Sequence, residues 1–176
     1  MKSVLLSIQP EWCELIASGK KTIEIRKTKP KLETPFKCYI YCTKTFYRKG
    51  DGYFQGKYCG KVIGEFLSDT IITDRTFGHD ALFNGAACIS EVEAVAYSLG
   101  LPMYGWHISH LVIYDKPKEL SEFFVYCERC DKRPIACEYS FEESNESGYY
   151  SECMCDFKRP IKRPPQSWCY VEELED

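Results

Sequence analysis

"GKKTIEIRK", residues 19–27, decides how the rest of the chain is read. Gly19 closes a preceding apolar stretch. The residues after it alternate, with Thr22, Glu24 and Arg26 on one face and Ile23 and Ile25 on the other. A period of two belongs to a strand buried on one side, so a short helix followed at once by a charged strand is the first unit of the fold. The polar face of that strand is either solvated or part of a site.

Upstream, "SVLLSIQ" (3–9) reads as a buried strand, and Pro10 opens a helix over 10–18 with Trp12, Leu15 and Ile16 at helical spacing. Trp12 reads there as a core anchor. Downstream, "FKCYIYCT" (36–43), "GKVIGEFLSDTIIT" (60–73), "YGWHISHLVIYD" (104–115) and "SWCYVEEL" (167–174) read as strands, the second bent or bulged near Gly64. "KGDGYFQGKYCG" between them reads as a Gly-rich surface connection. Ser90 and Glu93 form a capping box that predicts a helix from Glu91 to about Leu99, stopped by Gly100 and Pro102; "KELSEFF" (118–124) is a helical turn. Many strands, few short helices and no crossover helices of the kind a parallel sheet needs predict an α+β fold: a small mixed β-barrel with peripheral helices.

With 176 residues, 44% of them hydrophobic and 15% aromatic, the chain fits one domain, 1–176, with a real core. No apolar run approaches the roughly 20 residues that cross a bilayer, and "MKSVLLSIQPEW" turns polar too early for an export signal. A cytoplasmic protein without a membrane partner is expected. The net charge of −3 conceals two basic stretches. Lys20, Lys21, Arg26, Lys27, Lys29 and Lys31 stand against Glu24 alone, and Lys158, Arg159, Lys162 and Arg163 have no acid among them. Brought together, they would make a local field able to hold a phosphate-bearing ligand.

Eleven cysteines, among them the isolated Cys13 and Cys88, argue for reduced thiols rather than a disulfide framework. Five crowd into a stretch without readable periodicity, residues 125–165, which is set apart as a Cys-rich insertion. An irregular segment of that length needs a staple, and a tetrahedral structural zinc held by Cys127, Cys130, Cys153 and Cys155, with Cys137 as replacement, would supply one. Free thiols are the alternative. His107 and His110, three apart in a predicted strand, point to opposite faces and cannot share a metal.

No phosphate-binding loop, dinucleotide fingerprint, nucleophile elbow or zinc-protease helix is present. The remaining chemistry lies in Lys20, Lys21, Thr22, Glu24 and Arg26. A lysine beside a carboxylate can act as nucleophile or base, and arginine can hold an oxyanion or phosphate. A cross-strand salt bridge uses the same residues.

On "LSIQPEWCELIASGKKTIEIRKTKPK" (6–31), "GKVIGEF" (60–66), "GWHISHLVIYDKPKELSEF" (105–123) and "RPPQSWCYV" (163–171), the chain resembles the ASCH family of the PUA-like superfamily. The closing block resembles a subset from bacteria and their phages. The resemblance implies a barrel of about six strands and a cleft lined by the signature strand. It also implies RNA binding, recognition of modified nucleotides or translation-linked regulation. Some small members deacetylate N4-acetylcytidine with a Lys, a Thr and a Glu; here the lysine maps to Lys21, Glu24 stands where those hydrolases place the threonine, and Glu91 or Glu93 would supply the remaining carboxylate. Other members are described as ribonucleases, a role in which Lys21 and Arg26 would clamp phosphate and Glu24 would serve as base. The leading expectation is RNA or nucleotide binding through Lys20, Lys21, Thr22, Glu24, Arg26, His107 and Arg163, with Trp106 or Trp168 as a stacking surface. The alternatives are a hydrolase of nucleic acid or a modified nucleoside at that cleft, with Lys21, Glu24 and Arg26 catalytic, and a phage or mobile-element interaction module that binds a protein partner through 127–155.

Overall fold

A computed structural model describes residues 1–49, 52–56, 58–126, 140–145, 148–153 and 159–174. β1 (Lys2–Ile8) runs into α1 (Pro10–Ala17) and then into β2 (Ile23–Arg26), as the opening stretch predicts. Pro10 occupies the first helical turn, where its missing N–H costs nothing. At the other end Gly19 takes φ +73°, and the N–H groups of Lys20 and Lys21 both turn back to the Leu15 carbonyl at 3.0 and 3.1 Å. That tight stop throws the chain straight from helix into strand.

β3 (Phe36–Cys42), β6 (Val62–Ser68), β9 (Ser109–Lys118) and β12 (Trp168–Glu172) join β1 in a five-stranded sheet of order β12-β1-β3-β6-β9. Within it β1 pairs parallel with β3, the other pairs being antiparallel. A second sheet has the order β2-β8-β7, with β7 at Ile71–Asp74 and β8 at Met103–His107. Two hairpins complete the strands: β4 (Phe46–Lys49) with β5 (Gly52–Gln55), the second of them inside the stretch read as a Gly-rich surface connection, and β10 (Ser140–Asn145) with β11 (Gly148–Cys153). α2 (Ala81–Ala87) and α3 (Glu91–Ser98) pack beneath the smaller sheet, and residues 120–122 form a single 3-10 turn. The architecture is the expected α+β arrangement of two sheets and few short helices.

The main core lies between the sheets, where Val4, Leu6, Ile8, Cys38, Ile40, Ile63 and Phe66 meet Trp106 and Ile108. Leu5, Tyr39, Tyr41 and Val171 on the outer face of the large sheet are covered by Phe123 and Ile161. Under the small sheet Ile23, Ile25 and Met103 close on Phe83, Ala87 and Ala94. β2 is therefore buried on both faces, apolar toward the helices and charged toward the large sheet.

Two long runs read as single strands are each broken into two. Residues 60–73 divide at Asp69 and Thr70, and 104–115 divide at Ile108, so that β6 and β9 stay in the large sheet while β7 and β8 cross to the small one. Apolar alternation continues through both breaks because each strand faces the same core, which is why periodicity alone misses them. The distortion near Gly64 is present: the register shifts between Val62 and Gly64, and a Cβ on Gly64 would lie 2.3 Å from the Val112 carbonyl oxygen. α2, short and flanked by loops, escapes the sequence reading; Asp80 caps it by accepting from the Phe83 N–H at 2.8 Å. The α3 capping box is present in both halves.

Candidate nucleic-acid cleft

A cleft of about 510 Å³ opens where β2 faces the end of β1. Its floor is Lys21, Glu24 and Arg26, and its sides are Trp12 of α1, Glu93 and Tyr97 of α3, Thr43 and Thr45 after β3, and residues 164–167. The last segment is pinned to β1 twice, Ser7 N–H donating to the Ser167 carbonyl at 2.9 Å and Ser7 Oγ to the Pro165 carbonyl at 2.7 Å.

The three floor residues are 4%, 5% and 9% exposed, rare for charged side chains and tolerable only because they satisfy one another. Arg26 Nη2 lies 3.0 Å from Glu24 Oε1 and donates to the Ser7 carbonyl at 2.9 Å. Lys21 Nζ lies 3.5 Å from Glu24 Oε2 and donates to the Ala87 carbonyl at 2.6 Å. Ala87 ends α2, so the ammonium sits where the helix presents its unpaired carbonyls and the negative end of its dipole. One carboxylate thus bridges two cations, leaving a local excess of one positive charge. Glu24 Oε2 and Arg26 Nε are buried without a hydrogen-bond partner. Such orphans are uncommon in protein interiors.

Aromatic surface stands beside this charge. Trp12 is half-buried, with Lys21 Nζ 5.1 Å from its ring centroid, so the core-anchor reading holds for only part of the residue: its remaining face lines the cleft. Tyr97 packs against Arg26; burial pushes its phenol up, and the nearby guanidinium partly offsets that. Glu93 is held below the ordinary carboxylate value by the Ser90 hydroxyl, and it in turn raises Glu11, which is lifted first by its own partial burial.

Of the predicted binding residues the structure brings together Lys21, Glu24 and Arg26. Lys20 and Thr22 are exposed and do not line the cleft. Trp106 is 0% exposed, edge-on to Phe36 and Trp168, because its position opposite Glu24 on β8 turns the indole into the main core; it offers no face to a base. Trp168 is half-buried between Trp106 and Tyr170, its Nε1 donating to Thr28 Oγ1 at 3.0 Å. His107 pairs with Asp69 at 2.7 Å, and its hydrogen bond holds that carboxyl low. His110 lies on a different strand, so the two histidines are separated by a strand break and not by alternation. Arg163 is exposed next to the 164–167 wall without lining it. Cys127, Cys130, Cys137 and Cys155 lie outside the described residues, and of Cys153 only the backbone of β11 is described. Among the described residues no group of three or more His, Cys, Asp or Glu is placed to hold a metal ion, and no helix is long and apolar enough to cross a membrane.

The sequence reading missed Trp12 and Tyr97 as cleft residues; of the two carboxylates it left open, Glu91 and Glu93, only Glu93 lines the cleft. A usable signal existed in α3, where Glu93 and Tyr97 are four apart and so share a helix face.

Residues 6–65 match the ASCH domain family model, a span that contains β1, α1, the floor residues and β3. No curated protein matches the chain. Among solved structures, the chain is similar to ASCH from Zymomonas mobilis, with TM-score 0.59 and 18% identity over 97% of this chain and 88% of that one. A mutant of the same Zymomonas mobilis protein gives TM-score 0.60 and 18% identity over 98% and 92%. At that identity the likeness shows a shared fold.

Proposed function

Because the chain carries an ASCH domain over residues 6–65 and folds as ASCH structures do, we propose that its cleft binds RNA or a nucleotide. The ASCH family is associated with RNA binding. The observation that carries the proposal is the floor itself: Lys21, Glu24 and Arg26 are buried as a bridged row at the base of an open cleft with aromatic walls. A structural ion pair does not require Trp12 and Tyr97 beside it. A ligand with a phosphate and a flat ring does. The volume, about 510 Å³, falls within the range of roughly 300–1,000 Å³ usual for small-ligand sites, so the cleft takes one splayed nucleotide and not a duplex.

In this reading Arg26 and Lys21 face the phosphate or the polar edge of the base, Glu24 holds both cations in place, and Trp12 stacks. Loss of a stacking partner costs about 1–3 kcal/mol, or roughly five- to 150-fold in affinity. Fluorescence anisotropy with labelled single-stranded RNA, competed by mononucleotides, tests this. Trp12→Ala should weaken binding by that factor with an unchanged circular dichroism spectrum. Equal affinity in Trp12→Ala and in Lys21→Met, both folded, would overturn the assignment.

Hydrolysis at the same cleft is the second reading, favoured by one observation: Glu24 Oε2 accepts no hydrogen bond although Lys21 Nζ is 3.5 Å away, an unsatisfied carboxylate oxygen buried beside a cation just under the cleft. Turnover of RNA or an acylated nucleoside that disappears in Glu24→Gln while binding persists would separate catalysis from capture.

A further inference from the structure

A group of sulfur atoms lies just under one rim of the cleft. Cys13 on α1, Cys42 at the end of β3 and Cys59 in the turn before β6 converge there from three separate elements. The parallel register sets Ile8 opposite Cys42, and Cys13 Sγ donates to the Ile8 carbonyl at 3.6 Å. From the other side the Gly60 N–H donates to the Cys42 carbonyl at 2.7 Å, while Cys59 Sγ reaches the Thr45 carbonyl at 4.0 Å. The Cys42 N–H donates in turn to the Lys61 carbonyl at 2.9 Å, so the main chain beside Cys59 is paired with Cys42. Cys13 and Cys42 are buried and Cys59 is half-buried, so the group has one member that solvent can reach.

A single buried thiol is ordinary core packing. Three that converge from separate elements, graded from core to surface, can supply a two-electron redox pair. We propose that Cys42 and Cys59 form a reversible disulfide when the protein meets a peroxide-class oxidant, making this rim a modification site. Cys59, the accessible member, attacks the peroxide as thiolate: an S–O bond forms, the O–O bond breaks and hydroxide leaves, giving a sulfenic acid. The Cys42 thiolate then attacks that sulfur; the S–S bond forms, the S–O bond breaks and a second hydroxide leaves. Each thiol gives up one electron and the peroxide takes two. Burial and the neighbouring Cys42 hold the Cys59 thiol above its ordinary value, so the first step is the slower of the two. Thr43 and Thr45, which flank Cys42 in the chain, line the cleft, so the crosslink would fix that wall. The inference stands independently of what the cleft binds.

The test is to reduce the full-length protein, expose it to hydrogen peroxide under native conditions, block remaining thiols by alkylation and map the peptides. The expected result is a Cys42–Cys59 linked peptide in the wild type and in Cys88→Ser, removed by dithiothreitol and absent from Cys59→Ser. Cys59 is only partly buried where it packs against the main core, and circular dichroism checks that the variant folds. Sulfinic acid at Cys59 without a crosslink, a Cys13–Cys42 bond with Cys59 free, or bonds only among cysteines 127–155 would each overturn the proposal.

Discussion

Glu24 is asked to neutralise two cations at once, and nothing else among the described residues nearby carries negative charge into the floor of the cleft. Replacing it by Ala leaves Lys21 and Arg26 buried without a counter-charge, a change that typically costs about 3–5 kcal/mol. Urea unfolding should show the midpoint falling accordingly with the slope unchanged, and Glu24→Gln should lose less, since an amide still accepts from Arg26. The same dependence explains why the row was only half legible in the sequence. Alternation placed Glu24 and Arg26 on one face, but whether that face met water or protein depended on Ser7 and on residues 164–167, nearly 160 positions away in the chain.

At the level of elements, α3 is the piece that sequence chemistry fixes best and the cleft uses most directly. Ser90 and Glu93 close its first turn reciprocally, and the helix then carries Glu93 and Tyr97 to the cleft wall. Ser90→Ala should cost about 1 kcal/mol in thermal unfolding and weaken RNA binding as well, because the displaced turn carries lining residues. The pH dependence follows from the lowered Glu93 carboxyl. Its contribution is complete above the ordinary value of 4.5 and is lost as pH falls through the depressed one. Stability profiles taken from neutral to acid pH should therefore drop less steeply in Ser90→Ala than in the wild type. Capping residues announce themselves locally; strand breaks do not. Ile108 interrupts what reads as one strand from 104 to 115 because β8 and β9 belong to different sheets, and the core that both face keeps the apolar pattern running across the join.

The whole molecule carries a net charge of −3, so the RNA binding proposed above rests on local charge. With the floor of the cleft supplying one surplus charge, and the exposed Lys27, Lys29, Lys162 and Arg163 lying outside it, few phosphates are neutralised on binding. Each contact to a single strand contributes a slope of roughly −0.7 to log affinity against log salt. A titration with potassium chloride should give a slope between about −0.7 and −2. A much steeper value would move recognition from the cleft to the basic surface. The α+β class, α1, α3 and the signature strand followed from periodicity and turn chemistry, whereas α2, Trp12, Tyr97 and the burial of Trp106 depended on which sheet lay across from which.

The order of the large sheet also sets a sequence of events in time. β1 lies between β3 and β12, and β12 is made long after it. Until then the edge of β1 that will receive Leu5 and Leu6's partners, Cys169 and Trp168, stays open. The wall at 164–167 arrives just ahead of β12. A nascent polypeptide can thus have its floor residues in place and still have no cleft, which closes only once β12 has been delivered.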